Sequence, residues 1–532
     1  MAHIPTNRRK GMNKSFSVLG MLVVLVVVAV PFISAQPVDI EFWEGGAVSE
    51  SGPPPADWAA YKILRDKLNI NLKLVLEPST PTDQSTKINT SAASNRLPDF
   101  FMVGRDTWLK LVEKGLIAST DDIWKKIPNR VKKYYSDPEE TQLITYKGKK
   151  YGFADPGSNV KPAVEGLVIR KDWLDKLKLK VPTTTEELFQ VAKAFTDNDP
   201  DGNGKADTYG FGAFIETNSL LDVGLGRRFI PILAAYGVPT SWDASSAKTF
   251  GLSFKKPEYL SALQYVKRLV DAKAIHPDWA TLKKDDFRLA WKQGKFGIMF
   301  EQFSALHSKA TYDQFDNNFP NGVWEPIPAI KGPKGVGYSS VTIKAIRIHA
   351  ISKRAAADPK KIDAIARFLE WTASDEGYFL LGFGTKGVNY NLDAQGNITY
   401  AGLDPKNIAS ASAMAPLTQI RNLVYVNDDR ELFVRYPDYK SKAGRTISPL
   451  GTLKFFNTQP IYNATAASFI NAPNNAADIQ RYIGENIVKF VLGQQPLDQA
   501  GYANFIKGLD ALGAAQWEKN AKDQLIAIGQ LR

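Results

Sequence analysis

The stretch Val38-Asp39-Ile40-Glu41-Phe42-Trp43-Glu44 sets apolar side chains at every second position, the period of a strand with one buried face. An amphipathic segment over 57–68 follows, Ile70, Leu72, Leu74 and Leu76 alternate again, and a polar helix-like segment leads to the apolar run 100–103. Parallel strands cannot be joined by a tight hairpin and need a crossover, usually a helix. Strand, helix, strand, helix, strand therefore predicts an α/β lobe built on a parallel sheet.

The 532 residues exceed the roughly 250–300 at which a single core stops growing, so at least two lobes are expected. The amino end belongs to neither. Arg8, Arg9, Lys10 and Lys14 precede an apolar run over 16–32 that ends in Ile33-Ser34-Ala35, the charged, apolar and small-residue order of a secretory signal peptide. Cleavage is expected after Ala35, with a retained anchor as the alternative because the apolar run nearly reaches spanning length. The chain has no cysteine, so the exported fold rests on its core and no thiol can carry a lipid. A soluble, periplasmic or secreted monomer without a lipid anchor is expected. Of the formal charge of +12, four positive charges lie in the leader and the rest are dispersed. The absence of a dense basic run interleaved with aromatics argues against nucleic acid as a partner, and mild attraction to acidic ligands is left open.

Asp199-Pro200-Asp201-Gly202-Asn203-Gly204-Lys205-Ala206-Asp207 packs three carboxylates and an amide into nine residues that repel one another unless a cation neutralises them. Short oxygen-bearing side chains at alternate positions, with a glycine for the sharp turn, are the pattern of a calcium loop. A register starting at Asp197 puts the cationic Lys205 ninth. Starting at Asp199 uses Asp199, Asp201, Asn203, the backbone carbonyl of Lys205 and Asp207, and is preferred. The twelfth residue is then Gly210 in place of a bidentate Glu, so a structural calcium staple is expected and not a complete EF-hand. A solvated acidic turn is the alternative.

Just before this loop, Pro182-Thr183-Thr184-Thr185 runs into Glu186-Glu187, a capping-box signal, and Leu188, Val191, Ala192 and Phe195 form a buried helical stripe. Further helical stripes fall at Leu260, Leu263, Val266 and Val270, at Ile362, Ile365, Ala366 and Leu369, and at Ile479, Ile483, Ile487 and Val491. The segment 323–338, rich in Pro and Gly, reads as a connector between lobes.

The block 166–177, beginning Gly166-Leu167-Val168-Ile169-Arg170, then Val181-Pro182-Thr183-Thr184 and the loop 199–210, resembles the extracellular solute-binding proteins of ABC importers, most closely the oligosaccharide group with its alginate-type and aldouronate-type binders. Blocks at 291–301, 366–378 and 490–496 extend the resemblance over nearly the whole mature chain. It implies a two-lobed, type II periplasmic-binding-protein fold with a hinge of crossing strands and a ligand in the cleft. Laid on this sequence, the crossings fall near 164–165, 324–329 and 411–416. The amino lobe is then 36–164 plus 327–412, and the carboxy lobe 165–326 plus 413–532. The resemblance also implies a calcium loop of this form, delivery of an oligosaccharide to a membrane permease, and no enzymatic activity.

Other chemistry finds little support. Gly382-Phe383-Gly384-Thr385-Lys386-Gly387 fits the bare dinucleotide pattern but follows a helix-like segment and no strand, so it reads as a turn. His276, His307 and His349 are widely separated and lack metal-ligand spacing. A sugar site needs flat aromatics for pyranose faces and planar polar groups for hydroxyls, and 11 Trp and 20 Tyr suit that demand. The candidate ligand residues are Trp43, Arg105 and Asp106, just past the carboxyl ends of the first and third strands, Glu165 beside the first crossing, Glu301 and Gln302 after the run 297–300, with Arg170 and Tyr390. A secreted carbohydrate-active enzyme and a calcium-stabilised adhesion protein are the other readings.

Overall fold

In Val38–Glu44 (β1) the sequence alternation becomes a pleat, with Ile40 and Phe42 buried on one face and Trp43 half-buried on the other. Helix α1 (Ala59–Leu68) carries the chain to β2 (Ile70–Leu76), α2 (Pro81–Ala93) carries it to β3 (Phe100–Gly104), and both β2 and β3 lie parallel to β1. The predicted crossovers are present. The computed structural model describes residues 36–48, 51–156, 163–216, 223–342 and 347–532, and within it Pro37–Arg532 forms one compact unit. The leader and cleavage site expected over 1–35 lie outside the described residues. No helix among them is long and apolar enough to cross a membrane.

The remaining principal strands are β4 (Phe153–Ala154), β5 (Glu165–Arg170), β6 (Tyr209–Gly212), β7 (Phe296–Gln302), β8 (Trp324–Pro326) and β9 (Arg347–Ile351). They sort into two sheets, one ordered β2-β1-β3-β9-β4 and the other β8-β5-β7-β6. In the first, β9 runs antiparallel to β3; in the second, β7 runs antiparallel to β5 and parallel to β6. Strand β5 is buried at every position and β3 at its first four, so both read as continuous apolar runs with each face covered. One face of the first sheet packs Ile40, Phe42 and Phe100 against Phe368 and Leu369 of α6 (Pro359–Thr372). Ile420, Leu423 and Tyr425 join that same cluster.

Local signals act as the sequence suggests. Helix α4 (Thr185–Asp197) starts with a complete capping box, Thr184 Oγ1 accepting from the Glu187 amide at 3.1 Å while the Glu187 carboxylate accepts from the Thr184 amide at 3.2 Å. Leu188, Val191, Ala192 and Phe195 are all buried beneath it. The glycine motif at 382–387 closes a helix, Gly384 taking φ +86° directly after Phe383. Of the connector 323–338, Trp324–Pro326 joins the second sheet as β8 and Lys331–Gly332 pairs with Gly335–Val336 in a small hairpin. The segment 411–416, where a third crossing is expected, overlaps the 3₁₀ helix Ser412–Thr418.

Candidate functional site

The carboxyl ends of β1, β2 and β3 open toward the end of β7 across a cavity of about 980 Å³. One wall comes from the first sheet: Gly46, Gln84 of α2, Met102 and Asp106 in the first turn of α3 (Arg105–Glu113). Facing them are Gln302 at the end of β7, Lys284 and Arg288 of α5 (Lys284–Lys292), and Arg227 with Arg228. Helix α7 (Ala476–Val491) closes a third side with Gln480, Gly484 and Val488, while its Ile479, Ile483 and Ile487 face the core. The spacing of three and four that buries one stripe leaves a second stripe of the same helix to line the cavity.

The floor is an ion network. Glu301 is fully buried; Arg228 Nη1 donates to its Oε1 at 3.0 Å and Arg288 Nε to its Oε2 at 3.3 Å. Burial alone would push this carboxyl up, but Arg228 and Arg288 outweigh it and hold it at about 2. Arg228 also pairs with Glu216 at 2.6 Å and donates to the carbonyl of Phe300 at 2.7 Å, and Arg227 pairs with Glu165. Three arginines are thus matched by three glutamates, which fixes the wall and leaves little net charge on it. On β9 of the first sheet, His349 Nε2 meets Glu44 at 2.5 Å and its Nδ1 lies 3.2 Å from Asp155. Desolvation would lower this imidazole, yet Glu44 and Asp155 raise it to about 9, so it is charged at neutral pH.

Past Ala47 and Gln302 the cavity continues into two smaller spaces, about 280 and 90 Å³, that share Ser304, Arg421, Tyr425, Arg435 and Tyr436. This inner chamber carries the aromatics: Tyr425 and Tyr436 line both of its spaces and Tyr400 one of them, whereas no aromatic among the described residues lines the wide part.

Of the eight residues singled out from sequence, Asp106 and Gln302 line the cavity. Glu165 and Glu301 lie behind its wall, as partners of Arg227 and of Arg228 with Arg288. Arg105 sits beside them on the chain but stacks over Trp108 at 4.5 Å, and burial lowers its guanidinium to about 10. Trp43 is on the other side of β1 from Phe42, its indole N–H donating to Glu41 and its ring covered by Lys87 at 4.1 Å. Arg170 is buried at the far end of β5, in a bidentate pair with Asp172 and 4.4 Å over Trp173. Tyr390 is buried against Phe379, ring centroids 5.3 Å apart. These last four side chains do not line the cavity. Sequence reading missed Arg227, Arg228, Arg288 and the inner chamber; the one signal was two adjacent arginines between Leu225 and Phe229, since guanidiniums in an apolar run must be paired if buried.

In the acidic loop, Asp199 accepts from the amides of Gly202, Asn203 and Gly204, with Gly202 and Gly204 at φ +77° and +73°. The Asn203 amide group bridges Asp201 at 2.8 Å and Asp207 at 3.1 Å, the Lys205 amide donates to Asn203 at 2.8 Å, and Lys295 pairs with Asp207 at 2.7 Å. Among the described residues no three His, Cys, Asp or Glu side chains share metal-binding geometry. The donor set nonetheless fits a hard cation: burial and the neighbouring Asp199 push the Asp201 carboxyl up, the mark of like charges held together, and Asn203 holds two of the carboxylates within reach of one another. The twelfth position is glycine for a packing reason. A Cβ on Gly210 would stand 1.9 Å from the carbonyl oxygen of Ala192, so only glycine lets β6 lie against α4.

The two sheets, with a cleft at the strand ends, define a two-lobed solute-binding fold. A family model for bacterial extracellular solute-binding proteins matches residues 60–378, more than half of the chain, and the protein belongs to that family. Among curated proteins it is 29% identical over 344 residues to the polygalacturonan/rhamnogalacturonan-binding protein YtcQ of Bacillus subtilis (strain 168), the match covering 64% of each. The chain thus spans somewhat under two thirds of the length of that relative. Among solved structures, an EF-hand mutant of the S. pneumoniae ABC-transporter substrate-binding protein FusA in complex with fructo-nystose superposes with a TM-score of 0.68 at 18% identity, over 92% of this chain and 99% of that one. Alginate-binding protein AlgQ2 without calcium ion superposes with a TM-score of 0.67 at 16% identity, over 92% and 98%.

Proposed function

We propose that the protein captures an oligosaccharide outside the cytoplasmic membrane and delivers it to the permease of an ABC importer, without acting on it chemically. The observation that supports this most is the long cleft between the sheets, whose wide part is lined by amides, hydroxyls and paired guanidiniums and whose inner end carries tyrosines. A relative named for polygalacturonan/rhamnogalacturonan binding and a similar fold in complex with fructo-nystose agree with it. Of the residues first singled out, Asp106 and Gln302 contact the sugar in this reading, with Glu165 and Glu301 as positioning residues through their arginines. In this proposal the lobes are 36–164 plus 327–412 and 165–326 plus 413–532, with Ile420, Leu423 and Tyr425 packed on the amino lobe's cluster.

Calcium in the loop is structural in this proposal, held by Asp199, Asp201, Asn203, the carbonyl of Lys205 and Asp207. It would tie α4 to β6 at a distance from the cleft. The mature protein is periplasmic or secreted, a monomer, and carries no lipid; intact-mass analysis of material from the natural host checks the last point. A thermal-shift screen of oligosaccharides with calcium present tests the function, because a ligand bound only by the native state raises the midpoint by mass action. Hydrolysis of a bound glycan, or no shift with any, would overturn the reading.

A further inference from the structure

Resting on that reading, we infer that the sugar this protein takes is acidic, and that a carboxylate of the ligand sits in the inner chamber against Arg421 and Arg435. The chamber is lined by Arg288, Arg347, Arg421 and Arg435 with Asp155 as its acidic residue among those described. Asp155 is already engaged, 3.2 Å from the charged His349 and 3.7 Å from Arg347. Arg288 is taken up by Glu301.

Arg435 and Arg421 differ from these. Arg435 lies 3.6 Å over the Tyr425 ring and donates to Asn427 at 2.7 Å and to the Tyr436 hydroxyl at 3.3 Å, with its nearest carboxylate, Glu431, at 4.0 Å. Arg421 donates through Nη1 to Thr418 at 3.0 Å; no carboxylate pairs with it among the described residues, and its Nε is buried without a partner. A half-buried guanidinium with a desolvated Nε and no anion beside it gains when a ligand supplies one. The positive field registers on a third group: burial would raise the Tyr436 phenol, but Arg435 and Arg421 bring it below its ordinary value.

The chamber therefore has both halves of a uronate site. The tyrosines border the space with their rings and hydroxyls, and guanidinium N–H groups match the two oxygens of a carboxylate. A neutral sugar could offer Arg421 only hydroxyl acceptors and would leave its charge uncompensated. The wide part of the cleft, with its compensated charges, would take the further residues of the chain through their hydroxyls.

Calorimetry on the calcium-loaded mature protein tests this with galacturonate, mannuronate/guluronate and glucuronoxylan oligomers, each beside its carboxyl-reduced counterpart, and with kestose as a neutral probe. The expected result is that at least one acidic oligomer binds about tenfold or more tightly than its reduced form, the size of one charge-assisted hydrogen bond. Arg421→Gln should remove most of that ratio and Arg421→Lys restore part of it, with melting temperatures close to the parent. Equal or tighter binding of a reduced oligomer or of kestose would overturn the inference and leave the sugar-binding reading standing. Binding of none of them would overturn both.

Discussion

The two groups of arginines in the cleft differ in what stands behind them. Arg228 and Arg288 share the buried Glu301, with Glu216 as the second carboxylate on Arg228 and Glu165 on Arg227, so the charges cancel and the geometry is locked. In the inner chamber Arg421 has a threonine hydroxyl for a partner, and Arg435 has an amide, a phenol and a distant glutamate. The first arrangement is scaffold and the second is unfinished chemistry. A buried cation with its anion in place has little left for a ligand, whereas a half-buried one without an anion draws it from outside.

Substitutions can break this contrast, and the largest effect should come from the scaffold. Glu301→Ala leaves Arg228 buried with Glu216 alone and removes the carboxylate of Arg288, which should cost about 3–5 kcal/mol in stability. Denaturant melts are the check, and a loss under about 1 kcal/mol would make the network decorative. The same network predicts a pH dependence. The Glu301 carboxyl is held at about 2 against an ordinary 4.5, so its stabilisation is fully present above pH 4.5 and disappears as the pH falls toward 2. In Glu301→Ala that part of the acid transition should vanish.

A middling effect is expected far from the cleft. Asp201→Ala should abolish the calcium dependence of the melting temperature, worth about 2–3 kcal/mol when calcium stands at a hundred times its dissociation constant, and should leave sugar affinity unchanged. A mutant that keeps its calcium-dependent shift would show the loop to be a solvated turn. Smallest of all should be the stability change in Arg421→Gln, about 1 kcal/mol or less, since it breaks one hydrogen bond and no ion pair. If Arg421→Gln instead unfolds the protein as Glu301→Ala does, the two groups of arginines are alike and the contrast fails.

What the sequence discloses follows the same division. Burial imposes a period, so β1, β2, α4 and the core face of α7 could be read directly from Ile40, Leu72, Leu188 and Ile479. A cavity imposes none. Gln480, Gly484 and Val488 look like an ordinary polar face of α7, and nothing local says that another element lies across from them. Aromatic composition misled in a similar way: Trp43 and Tyr390 have the rings a sugar needs but do not line the cleft, and the rings that border it belong to Tyr425, itself covered by Arg435, and Tyr436, more than 370 residues along the chain from β1. Gly210 shows a reason the sequence hid: the twelfth loop position is glycine because the Ala192 carbonyl lies against it.

The account stands most directly on where the ligand lies. Hydrogen exchange of the calcium-loaded protein should be measured with and without the oligosaccharide that gives the largest thermal shift. Slowed exchange is predicted on both walls together, at 104–107 and 301–304, and also along 476–488 and 419–425. Protection confined to one sheet, or absent from all four segments while the sugar is bound, would contradict a ligand held between the lobes.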